Sequence, residues 1–173
     1  MVFVKRHAIG IALTILGLSA CISTVSAVDN EYAPVKQTPD TITAFIRGID
    51  VKDGRETLQV DPIQWFEGAA ADERFLKDEP DSGLDGAPDG YYIVNDDEKL
   101  ETLEVDPQAA VLMQIYDRTG SLVDATTEWN QAIPLAKFNA VYRNNGVLDV
   151  SDYPYHLTVK DGKVVRIVQQ FIP

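Results

Sequence analysis

The side chains most able to do chemistry lie in the middle of the chain. Between Phe66 and Asp106 there are 14 acids against Arg74, Lys77 and Lys99. Oxygen-rich loops of this kind can hold Ca2+. Asp81, Asp85 and Gly86 fall at positions 1, 5 and 6 of an EF-hand count, and Asp89 is a third candidate ligand. Gly83 at position 3 and Tyr92 at position 12 lack the carboxylates that the motif requires. Two acids facing each other about 5–10 Å apart could instead hydrolyse a glycoside. Acids this abundant make some such pair inevitable, and a solvated loop that repels wrong partners explains the segment better than a metal site.

Other catalytic constellations are missing from the sequence. Beyond the N-terminal segment there is one histidine, His156, where a nucleophilic triad needs a serine and a carboxylate beside it. No serine sits in a G-x-S-x-G elbow. Zinc needs several His or Cys ligands, and no phosphate-cradling glycine loop occurs. The sequence therefore names no catalytic residue and implies no cofactor. Trp65, Phe66, Tyr91, Tyr92, Trp129, Tyr153 and Tyr155 could line a ligand or glycan face, or could pack a core. Tyr153 and Tyr155 are expected to be the exposed set, because Pro154 between them opposes pairing in mid-sheet.

The single cysteine carries a different chemistry. Lys5, Arg6 and His7 precede an apolar run from Ala8 to Leu18, which is the order of an export signal. Leu18-Ser19-Ala20-Cys21 resembles a lipobox, in which the thiol of Cys21 would be diacylglycerol-modified before cleavage. Residues 1–20 would then be the signal. Val25-Ser26-Ala27 offers a competing exit, with residues 1–27 removed as an ordinary secretory signal. The apolar run is too short to span a bilayer, which takes roughly 20 helical residues. Loss of the signal carries the net charge from −12 to −14, since Lys5 and Arg6 leave with no acid. That balance argues against nucleic-acid binding, which needs a basic face.

The elements that must position these residues are mostly strands. Residues 28–40, with two prolines, read as a tether, and residues 41–173 as a single globular domain. Thr41–Lys52 and Arg55–Val60 flank Asp53-Gly54, a favoured hairpin turn. Pro62 demotes the continuation to an edge or a bend, and Trp65 and Phe66 are expected to pack into the core at that bend. Gly68–Lys77 reads as a short helix burying Ala70, Ala71, Phe75 and Leu76, followed by a loop over residues 78–90. Tyr91–Val94, Leu100–Val105 and Val111–Tyr116 read as three strands. Thr126 or Thr127 is expected to cap a second helix carrying Leu135, Phe138, Val141 and Tyr142, ended by left-handed residues at Asn144-Asn145-Gly146. Tyr155–Lys160 and Lys163–Phe171 flank a second Asp-Gly turn, and the apolar run from Val164 to Val168 marks an interior strand. The expected fold is α+β, mainly β: a curved, mostly antiparallel sheet or partly closed small barrel with two short helices.

These strands resemble a group of short exported bacterial proteins that have no assigned activity. The likeness rests on three places. They are Gly48-Ile49-Asp50 with Val60-Asp61-Pro62-Ile63-Gln64-Trp65 and Glu67-Gly68, Tyr91 to Asn95 leading into Leu100, and Thr158 to Val165 running on to Phe171-Ile172-Pro173. Members usually carry Asn-Asp before the tyrosine pair, where this chain has Asp89-Gly90. The resemblance implies one exported domain and supplies no catalytic residue. The expected function is a non-catalytic domain of the cell envelope, lipid-anchored through Cys21, binding a protein or small ligand. The alternatives are a Ca2+-dependent module using residues 66–106 and, more weakly, a carboxylate-based hydrolase. A soluble secreted or periplasmic protein is the alternative address.

Overall fold

The computed structural model describes residues 32–97 and 99–172. The export signal and Cys21 lie outside the described residues. Eight strands and two α-helices follow in the order β1 (Thr41–Lys52), β2 (Arg55–Pro62), β3 (Gln64–Glu67), α1 (Ala69–Asp78), β4 (Tyr91–Val94), β5 (Glu101–Met113), β6 (Gln131–Ile133), α2 (Leu135–Tyr142), β7 (Pro154–Lys160) and β8 (Lys163–Gln169). Among the described residues no helix is long and apolar enough to cross a membrane.

Five strands close a barrel. β1 pairs with β2, β2 with β5, β5 with β8, β8 with β7, and β7 returns to β1. Every pairing is antiparallel except β5 with β8. Numbering only the barrel strands, the order is 1-2-3-5-4, with the third and fifth parallel and α2 between the third and fourth. The first strand can serve two neighbours because its register shifts between Ile46 and Gly48, a bulge at Arg47 that bends it.

Both expected Asp-Gly turns form, with Asp53 and Gly54 at φ 52° and 74° and Asp161 and Gly162 at φ 50° and 77°. Left-handed φ at both central residues matches the twist of the flanking strands. β8 lies between β7 and β5, in keeping with its two apolar faces. The inward residues alternate along each strand and meet in one core, including Ile46, Leu58, Val60, Val111, Leu157 and Ile167. Helix α2 lends that core Phe138, whose ring meets Tyr155 edge-on at 5.8 Å.

Several expectations change. Leu100–Val105 and Val111–Tyr116 are not separate strands: β5 joins Glu101 to Met113, leaving Gln114–Tyr116 outside it, and its register with β8 breaks between Val105 and Ala110. Pro107, which has no N–H to donate, falls in that break. Thr126 and Thr127 cap nothing: residues 131–133 pair with β5, and Pro134 is the N-cap of α2. That helix ends at Arg143 in right-handed geometry, and neither Asn144 nor Asn145 is left-handed. In α1, Ala71 and Phe75 are buried one turn apart, whereas Ala70 and Leu76 are exposed. Tyr155 is fully buried, with its hydroxyl donating to the Val150 carbonyl at 2.8 Å, so it is not part of an exposed set. Pro154 fits because it is the first residue of its strand.

Residues 32–40 also depart from a free spacer. Asp40 accepts from the Val159 N–H, Gln37 reaches His156, and Tyr32 packs on Trp129. This part of the expected tether is a strap laid along the barrel.

Candidate functional site: an aromatic cleft beside the barrel

The segment between the second and third barrel strands builds a side hairpin. β3 and β4 pair so that Trp65 faces Ile93 and Glu67 faces Tyr91, while Phe66 faces Tyr92. Alternate strand residues point to opposite faces. Trp65, Glu67 and Tyr91 therefore share one face, with Phe66 and Tyr92 on the other. The second face carries the helix: Tyr92 meets Phe75 edge-on at 5.6 Å, and the Arg74 guanidinium lies over Phe66. Gly68, at φ 55° and ψ −134°, turns the chain out of β3 into α1, a conformation that a side chain would strain.

The first face lines a cleft of about 370 Å3, within the ordinary range for small-molecule sites. Trp65 and Tyr91 stack as one wall, with centroids 4.9 Å apart and planes 12° from parallel. Trp129 and Phe171 form another, edge-on at 5.9 Å, with Tyr32 of the strap against Trp129 at 5.0 Å. Tyr153 stacks behind Phe171 at 6.2 Å. The charged side chains among the lining residues are Glu67 and Asp89.

Buried amides hold the rings in place. Gln114 accepts the Asn130 N–H and donates to the Asn130 side chain, fixing the loop that carries Trp129. A polar chain runs behind the cleft. Thr43 and Gln37 both reach His156 Nδ1, at 2.9 and 3.2 Å, and His156 Nε2 lies 3.1 Å from Gln170 Oε1. The Gln170 amide donates onward to Tyr32, whose hydroxyl donates to Glu67. This assigns the proton of a neutral His156 to Nε2. Burial, reinforced by the Glu67 carboxylate, pushes the Tyr32 phenol up to about 12. Burial and then the Asp89 carboxylate raise Tyr91 as well.

His156 is 2% exposed, and its burial lowers the imidazole below its ordinary value, partly opposed by the bond to Gln170. A histidine held neutral in the fold binds fewer protons than in the unfolded chain, so stability is lost as pH falls below about 6.5. The melting temperature should therefore drop between pH 7.5 and 5.5, and His156→Gln should flatten that part of the profile. An unchanged slope in the variant would show that His156 is not its source.

The remaining sequence candidates fall elsewhere. Asp81, Asp85 and Asp89 lie in the exposed loop after α1, and only Asp89 reaches the cleft. Among the described residues no three His, Cys, Asp or Glu side chains group as a metal site. Trp65 and Phe66 are half-buried on the side hairpin rather than in the barrel core. Tyr32, Glu67, Gln170 and Phe171 were not expected at a site. The alternation of Trp65 and Glu67 carried a signal for one of them; the others come from distant segments. A second hollow of about 430 Å3 lies near the Asp53-Gly54 turn, where Glu104 is paired with Lys163 and Glu56 accepts from Asn139, both at 2.8 Å, while Glu56 Oε1 and Asn139 Oδ1 are buried without a partner among the described residues.

Fold and site together define a closed, five-stranded mixed barrel whose side hairpin, strap and segment after β8 line an aromatic cleft. No family model, curated protein or solved structure matches the chain.

Proposed function

We propose that this is an exported, non-catalytic binding domain of the cell envelope, anchored by lipid on Cys21, that holds a small ligand in the aromatic cleft. The observation that carries the reading is the convergence of rings from four separate segments on one cavity. Those rings offer stacking surface, and the buried amides behind them hold that surface preformed, which lowers the cost of binding. The lone Cys21 and the basic-then-apolar order of residues 5–18 before it support the address.

Mass spectrometry of the native N-terminus tests the anchor. A diacylated Cys21 is expected, lost in Cys21→Ala; a chain beginning at Val28 would make the protein soluble and secreted. Turnover of ester, glycoside or peptide substrates by the purified protein would overturn the non-catalytic reading.

A further inference from the structure

We propose that the ligand is a small organic cation, an ammonium group on a short organic skeleton. The inference rests on the binding reading above and gives it a ligand class. Charge complementarity selects the occupant. Glu67 and Asp89 supply negative charge to the cleft, and no lysine, arginine or histidine is among its lining residues. An anion would meet two carboxylates and no counter-charge. A neutral saccharide could stack on the rings but would leave the carboxylates unmatched.

The rings work in the same direction. An aromatic face is the negative part of its quadrupole and attracts a cation held within about 6 Å of the centroid. Trp129 and Phe171 on one side and Trp65 and Tyr91 on the other place such surfaces around one volume. Tyr32 stays a neutral phenol whose hydroxyl is committed to Glu67, so it adds a ring without adding a charge. Strap and hairpin therefore join at the carboxylate that would face the ammonium group.

The molecule carries its own reporter, because both of its tryptophans, Trp65 and Trp129, line this cleft. Tryptophan fluorescence of the intact exported protein should change saturably with tetramethylammonium, choline or cadaverine. The uncharged isostere of choline, 3,3-dimethylbutan-1-ol, should bind at least tenfold more weakly than choline. Glu67→Gln should weaken the cation at least fivefold. Asp50→Asn, at an exposed position near the first Asp-Gly turn, should leave binding unchanged and so exclude mere attraction to an acidic protein. Equal affinity for the isostere, an equal loss in Asp50→Asn, or no saturable response to any of the three cations overturns the inference. In the last case a saturable response to glucose would preserve the binding reading, and silence towards glucose as well would remove both.

Discussion

Arg47→Ala is expected to cost the domain about 3 kcal/mol, more than removal of the acid that Arg47 bonds. Arg47 is the bulge residue of the first strand, and its guanidinium donates twice to Asp61, at 2.9 and 3.3 Å. The two side chains differ in surroundings: that of Arg47 is 44% exposed and that of Asp61 only 5%. Deleting the arginine strands a buried carboxylate with Asn95, at 3.1 Å, as its remaining side-chain partner. Deleting the charge of the acid leaves an arginine that water can solvate. Asp61→Asn should therefore cost only ~1 kcal/mol, and Arg47→Ala with Asp61→Asn should be more stable than Arg47→Ala alone. Urea unfolding of the three variants measures this, and a reversed order would contradict the account. Because Asn95 follows β4, the same experiment probes how firmly the side hairpin is tied to the barrel.

Phe138→Ala should be at least as damaging, at about 3–5 kcal/mol. Phe138 is fully buried, contacts the equally buried Tyr155, and lies 6.1 Å from Tyr142. A close-packed core relaxes only partly around a lost side chain, so truncation leaves a cavity. Thermal unfolding should move down by roughly 10 °C or more for a domain of this size. Phe138→Leu keeps most of the volume and should recover much of the loss; equal effects from the two variants would place the cost elsewhere than the cavity.

The contrast between these two residues shows what the sequence could reveal. Phe138 was legible, since Leu135, Phe138, Val141 and Tyr142 recur at helical spacing and give the helix its buried side. The two Asp-Gly turns and the interior strand from Val164 to Val168 were legible for the same reason: local chemistry dictates them. Arg47 was not. A bulge adds one residue to a strand without changing its composition, and its partner Asp61 stands 14 positions away. Pro107, of a type that ordinarily ends a strand, stands inside the long β5 where the ladder is already interrupted. The cleft was legible only in fragments. Tyr91 and Tyr92 look equivalent as neighbours, yet the pleat sends one to the cleft and the other to α1. Tyr32 and Phe171 join them only through barrel closure, which brings the strap and the segment after β8 to one side, and no local pattern encodes that.

The strap's place beside the cleft has a consequence for the address. Tyr32 packs beside the cleft, and Cys21 stands 11 residues before it. A fully stretched chain of that length spans at most about 36–40 Å. On the lipid-anchored reading, the mouth of the cleft is leashed close to the bilayer while the far side of the barrel can swing outward. The protein would then sample a thin shell of solvent next to the membrane, and its occupancy would follow the composition of that shell rather than of the bulk medium.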